Sequence, residues 1–283
     1  MPLESALAKK RKPRRKRKGR FSPLKLWPGV RLRKQWWKAF QGLTPITRMA
    51  VAAAIVFALW LGFNFAYQVL RKPSELFFPV SGALYKTPAE TWRKYGSLFE
   101  KHSTSIVTPD LLAALAQVEG SGNPVVRTYW RWSLRRAPFD VYRPASSAVG
   151  MFQITDGTFA EARRYCIHDH LVVEDGPWTD ADSCWFNSLY TRTVPTNAVE
   201  LTSAYLDRVI ANTLKRQRIT DATLQQKQDL AAVIHLCGAR AGEAFARRRF
   251  RLVPGQRCGD HAAQVYVARV NQMKRVFKGL ERP

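Results

Sequence analysis

The sequence predicts a mostly α-helical domain preceded by a single transmembrane helix. Three observations carry that expectation. Several segments place apolar residues at helical spacing between recognisable caps, and no stretch sustains strand alternation. The run 49–70, which opens at Met49 and closes at Leu70, holds 22 residues without a charge. All four cysteines, Cys166, Cys184, Cys237 and Cys258, lie beyond that run. At 283 residues the chain can bury a core, so one domain with appendages is the natural organisation.

The first 48 residues are set apart by charge. They hold sixteen of the 46 basic residues and one acid, Glu4, and ten of the twelve residues 9–20 are Lys or Arg. Such a segment is expected to be largely disordered. Taken alone it suits nucleic acid or anionic lipid equally. Residues 21–48 add Pro23, Pro28 and Pro45 and the basic-aromatic run LRKQWWKAF, which fits a short amphipathic helix at a membrane surface.

The uncharged run follows. At ~1.5 Å per residue it reaches ~33 Å, enough for a bilayer core of ~30 Å. Trp36, Trp37 and Tyr67 fall near its ends, where aromatic belts form. Positive-inside asymmetry then keeps the basic tail in the cytoplasm and exports the rest, with Arg71 and Lys72 opposing only weakly. A cleaved signal peptide fits poorly: the basic region and the apolar run are both too long. A tail followed by a span points to anionic leaflet lipid as its partner and makes nucleic acid unlikely.

Residues 71–86, with Pro73 and Pro79, read as a linker. The exported domain is expected over 87–283. Thr87-Pro88-Ala89-Glu90 is a capping box whose helix should run to about Lys101. Thr108 and Pro109 open the next helix, with Leu111, Leu112, Leu115 and Val118 on one apolar face and Gly120, Gly122 and Pro124 stopping it. Residues 155–165 read as a third helix and 166–196 as loop. Four helices follow: NAVELTSAYLDRVIANTLKRQ, ATLQQKQDLAAVIHLC closed by Gly238, AGEAFARRRF, and DHAAQVYVARVNQMKRVF. A small β element fits only the insertion 125–145. Four cysteines in an oxidising compartment suit two disulfides. Three pairings are open, and Cys166–Cys184 with Cys237–Cys258 is favoured because it closes short local loops. No C-x-x-C or paired Cys/His spacing points to zinc.

Glu119 stands in the last turn of the Thr108 helix. The C-terminal dipole and apolar surroundings both disfavour a charged carboxyl there, which suits a general acid working near neutral pH. It opens Glu119-Gly120-Ser121-Gly122-Asn123-Pro124. Ser147-Ala148-Val149-Gly150-Met151-Phe152-Gln153 follows, and Tyr266-Val267-Ala268-Arg269-Val270 lies near the C-terminus. In this order the three stretches resemble the lytic transglycosylase SLT domain, with its E-S-x-x-N-P, G-A-x-G-L-M-Q and Y-V-x-R-V/I motifs, over about residues 100–275. The family's serine after the glutamate is Gly120 here, with Ser121 next. Its A-Y-N-x-G motif aligns with Ile234-His235-Leu236-Cys237-Gly238, of which only the glycine is kept.

The resemblance implies a lysozyme-like helical fold and cleavage of the MurNAc–GlcNAc bond of peptidoglycan glycan strands. It implies Glu119 as the one catalytic residue and a substrate cleft drawing on Ser121, Ser147, Gly150, Met151, Gln153 and Tyr266, with no cofactor and no metal. Gly150 is expected to admit close approach of the glycan, Gln153 to hydrogen-bond an N-acetyl group, Met151 to pack on a sugar face, and Tyr266 to hold Glu119. The chain would sit in the bacterial inner membrane with its catalytic domain in the periplasm. The insertion carries Tyr129, Trp130, Trp132, Phe139 and Tyr142 among Arg127, Arg131, Arg135, Arg136 and Arg143. These are candidates either for sugar stacking and acidic peptide stems or for a packed hairpin with solvated arginines. A lysozyme-type hydrolase would need a second carboxylate, for which Asp140, Asp156 and Asp169 are candidates. A non-catalytic peptidoglycan scaffold fits less well with Glu119, Gln153 and Tyr266 all present.

Overall fold

A computed structural model describes residues 29–133, 141–177, 179–180 and 183–281, with backbone alone for 29–35, Pro73, Phe78 and Pro79. The expected disorder of residues 1–28 and the roles weighed for Arg135, Arg136, Phe139 and Asp140 lie outside the described residues. The chain divides into two units, Met1–Leu61 and Gly62–Pro283.

In the first unit, α1 (Gly29–Gly42) covers the basic-aromatic run. It also holds the start of α2 (Pro45–Arg71), 27 residues with mean hydropathy 2.0 over its most apolar window. That helix is long and apolar enough to cross a membrane. Thr44 and Thr47 hydrogen-bond each other at its start, and Arg48 donates back to Leu43 O (2.9 Å).

The second unit is mostly helical. After α2 come a 3-10 turn, Pro73–Phe77, then α3 (Phe78–Ser81) and a second 3-10 turn, Gly82–Leu84. The expected linker is therefore folded, and its polar groups explain why. Glu75 is fully buried, with Lys72 and Arg127 each 3.3 Å from its carboxylate and Trp130 Nε1 donating to it at 2.8 Å. Asn123 Nδ2 donates to Ser81 O (2.7 Å). Apart from Lys72, these partners lie about forty to fifty-five residues away in sequence, so no local pattern shows them.

Helix α4 (Pro88–Lys101) begins on the expected capping box. Thr87 N donates to Glu90 Oε2 (2.8 Å) and Glu90 N to Thr87 Oγ1 (3.3 Å). Helix α5 (Pro109–Gly120) is the centre. Leu111, Leu112, Ala113, Ala114, Leu115 and Ala116 are all fully buried, so this helix is enclosed on all sides rather than along one face. Each such leucine contributes about 1.5–3 kcal/mol by leaving water. Around α5 pack α4 and α10 (Ala263–Leu280). Beyond them lie α7 (Pro195–Gln217), α8 (Leu224–Cys237) and α9 (Ala239–Arg247). The start of α8 repeats the capping logic of α4, with Thr223 and Gln226 reciprocally bonded.

Among the described residues, strands form three antiparallel pairs. β1 (Trp130–Trp132) pairs with β2 (Tyr142–Pro144) inside the insertion, where a small β element was expected. Its aromatics pack on one another and on the end of α2: Trp132 stacks on Tyr142 at 4.5 Å and Phe65 on Trp130 at 6.0 Å. The third expected helix ends early. α6 (Asp156–Ala162) is followed by β3 (Tyr165–His168), which pairs with β4 (Leu171–Glu174). Their turn is Asp169-His170, both at positive φ (47° and 64°), the geometry usually supplied by Asn-Gly. β5 (Arg257–Cys258) and β6 (His261–Ala262) form the last pair. Glu200 of α7 binds β3 to the core. Its Oε1 accepts from Ile167 N (3.0 Å) and its Oε2 from the Tyr190 hydroxyl (2.8 Å), with His102 Nδ1 at 3.8 Å. The disulfides are Cys166–Cys184 and Cys237–Cys258, the favoured pairing.

Candidate active site

The site is built at the C-terminal end of α5. Thr108 stands at the N-cap in extended conformation, but its hydroxyl is engaged by Asp110 and by Gln228 Nε2 (2.9 Å) rather than by the helix. At the other end Ser121, not a glycine, takes the left-handed turn (φ 47°), and Gly122 follows at φ 64°. Gly120 has a different function. A Cβ there would stand 2.9 Å from Val126 Cγ1 and 3.0 Å from the Met151 backbone, so only glycine lets the 147–153 loop lie on the helix end. This gives a steric reason for the departure from serine at that position.

Three helices meet at Glu119. Tyr266 of α10 donates its hydroxyl hydrogen to Glu119 Oε1. His235 of α8 places Nε2 3.6 Å from the same oxygen. Glu119 keeps 17% of its side chain exposed, so the carboxyl is walled but open to a ligand. Burial first, and the Glu119 carboxylate second, push the Tyr266 phenol well above its ordinary range. It therefore remains a proton donor throughout the neutral range. No Lys or Arg forms an ion pair with Glu119 among the described residues.

The 147–153 loop is held from within. Gly150 has φ 79°, and a Cβ on it would fall 2.2 Å from Arg192 O. Its close approach is to the backbone of Arg192. Gln153, also at positive φ (47°), donates from Nε2 to Gly150 O (2.8 Å) and Val126 O (3.3 Å). Its amide nitrogen is thus committed to the loop, leaving its carbonyl oxygen for a donor. Met151 and Phe152 are fully buried in the core, which corrects the expectation that Met151 packs on a sugar. Ser147 Oγ accepts from Asp156 N (3.2 Å) and steadies the start of α6. Ser121 accepts at its carbonyl from Lys86 N (2.9 Å).

Two residues gain roles that the sequence reading did not assign. His235 lines a cavity of about 30 Å³ together with Gln153, Thr158 and Tyr205, joining the Gln153 loop to Glu119. Arg192 clamps the loop: its guanidinium donates to Ser147 O (3.0 Å) and Ile154 O (2.8 Å) and pairs with Asp156 (2.8 Å). No motif marks Arg192. His235 was detectable only as a substitution within a resembled motif. Of the second-carboxylate candidates among the described residues, neither Asp156 nor Asp169 has a described contact with Glu119. Asp156 is ion-paired to Arg192, and Asp169 occupies the β3–β4 turn.

What the arrangement offers is one carboxyl, a fixed phenol donor, an imidazole at hand and a rigid loop with a free amide oxygen. Such equipment is chemically suited to moving a proton onto and off a polar ligand. No protein-family model matches the sequence, and no curated protein matches it.

Proposed function

We propose that the chain is a membrane-anchored lytic transglycosylase that cleaves the MurNAc–GlcNAc bond of peptidoglycan with Glu119 as its acid and base. One observation carries the reading: three stretches far apart in sequence meet at one helix end, where Tyr266 donates to Glu119 and the Gln153 loop lies on Gly120.

The reaction divides into two proton transfers. Protonated Glu119 gives its proton to the glycosidic oxygen as the bond to the MurNAc anomeric carbon breaks. The substrate's N-acetyl oxygen stabilises the positive charge that develops, so no second carboxylate is required. Glu119, now ionised, takes the proton of the 6-hydroxyl of the same sugar, and that oxygen bonds to the anomeric carbon. The product is a 1,6-anhydro sugar and no water is consumed. Tyr266 fixes Oε1, so Oε2 is the oxygen that handles the proton. Gln153 Oε1 accepts from the N-acetyl N–H. The basic tail lies in the cytoplasm, α2 spans the inner membrane and the chain beyond α2 is periplasmic, as the charge asymmetry and the disulfides favour.

The test is mass spectrometry of sugars released from purified peptidoglycan by the detergent-solubilised full chain beside Glu119→Gln. Anhydro-muropeptides that disappear in the variant are expected. Reducing-end products would place the chain among hydrolases, and no products from the folded chain would leave a binding module.

A further inference from the structure

Where α2 ends, the second unit has a cavity of about 450 Å³ lined by Gln68, Arg71, Lys72, Arg143, Ser146 and Ser147. Its lining carries three cations. The carboxylate among its walls, Asp156, is already ion-paired to Arg192 at 2.8 Å. The Arg143 Nε is buried without a hydrogen-bond partner. A cavity of this composition selects an anion, and guanidinium groups suit the oxygens of a phosphate.

The surroundings say where that phosphate resides. One side of the last turns of α2 is packed: Asn64 is 1% exposed and donates to Tyr142 O (2.7 Å), and Gln68 is buried. The other side presents Phe63 and Leu70 to the surroundings, and Phe65, Leu76 and Trp132 are likewise exposed in part in the same unit. Exposed apolar and aromatic side chains beside cations, at the end of a span, are the composition of a headgroup layer contact. We propose that this cavity binds the phosphate of an anionic lipid of the membrane in which α2 sits, held by Arg71 and Arg143 with Lys72 behind them. Lys72 Nζ is fixed in place by Glu75 (3.3 Å), Thr128 Oγ1 (3.3 Å) and Ser146 O (3.3 Å). Paired with Glu75, it is a positioned donor behind the two arginines rather than a surplus charge.

The inference rests on α2 lying in a bilayer and not on the glycan chemistry, so its test is separate from glycan cleavage. Native mass spectrometry of the full chain in detergent, titrated with phosphatidylglycerol, reads discrete lipid adducts. The wild-type chain is expected to retain one tightly held phosphatidylglycerol and to prefer it to phosphatidylcholine. Arg71→Gln and Arg143→Gln should each weaken that adduct by about tenfold, the worth of one charge-assisted contact. Arg14→Gln with Arg15→Gln controls for lipid gathered by the basic tail and should leave the tight adduct intact. Arg71 is exposed at a helix end, so its variant tests the site even if Arg143→Gln misfolds. An adduct that persists in both cavity variants, or falls only in the tail variant, would overturn the proposal. Displacement of the lipid by an inorganic phosphate adduct would assign the cavity to the free ion and overturn it as well.

Discussion

Glu119 and Glu200 keep the same company. Each has a tyrosine hydroxyl donating to its carboxylate and a histidine nitrogen within 4 Å: Tyr266 and His235 in one case, Tyr190 and His102 in the other. Their difference lies in the oxygens. At Glu200 both are taken, since Ile167 N–H occupies Oε1 while Tyr190 and His102 face Oε2, and the side chain is 9% exposed. At Glu119 both partners address Oε1, at the end of a helix, and exposure rises to 17%. The same residue types thus make a structural pin in one place and, on the function proposed above, a reactive group in the other. What decides is whether an oxygen is left over and whether it faces an opening.

The comparison breaks most sharply under carboxylate removal. Glu119→Gln is expected to lower glycan cleavage by about two to four orders of magnitude, the range for a general acid-base group, with little change in thermal stability. Glu200→Ala should do the reverse. It strands the Ile167 N–H and the Tyr190 hydroxyl and costs about 1–3 kcal/mol in a denaturant titration, while the folded fraction still cleaves. If Glu200→Ala abolished cleavage at full stability, the division between pin and reactive group would fail.

The tyrosines sharpen the contrast at smaller cost. Tyr266→Phe removes the donor to Glu119 and should lower the cleavage rate by roughly ten- to a hundredfold, the equivalent of about 1.5–3 kcal/mol for a bond to a charged group. A rate unchanged in steady-state kinetics would show that the phenol does not position the carboxyl.

The smallest effect is a pH slope. Burial lowers the affinity of His102 for a proton, although Glu200 partly offsets it and Lys101 adds to it. The unfolded chain therefore binds this proton more readily than the folded one. The contribution is fully present above the ordinary histidine value of about 6.5 and is lost as pH falls toward the depressed folded value. Melting temperature should decline over that window, and His102→Gln should flatten the decline. A slope unaltered by the substitution would place the titration elsewhere.

Much of the scaffold was readable because its signals are local. Thr87 with Glu90, Pro109, and Gly238 mark helix ends by their own chemistry, and the periodic segments between them became helices. The β3–β4 hairpin was missed because Asp169-His170 takes a turn usually marked by Asn-Gly. The 71–86 segment was missed because its order comes from Asn123, Arg127 and Trp130. At the site, pairing Tyr266 with Glu119 was foreseeable from the resemblance. The burial of Met151 and the placement of His235 depend on packing that no spacing encodes.

The Cys237–Cys258 disulfide has a consequence beyond holding an α9 loop. Cys237 is two residues from His235, and Cys258 leads into the helix of Tyr266. The bond is a stitch between the two flanks of Glu119, worth about 3 kcal/mol of chain entropy for a loop of this length. With both cysteines reduced, the chain lacks that stitch beside Glu119. Oxidation of Cys237 and Cys258 thus completes the walls around Glu119, and reduction loosens them.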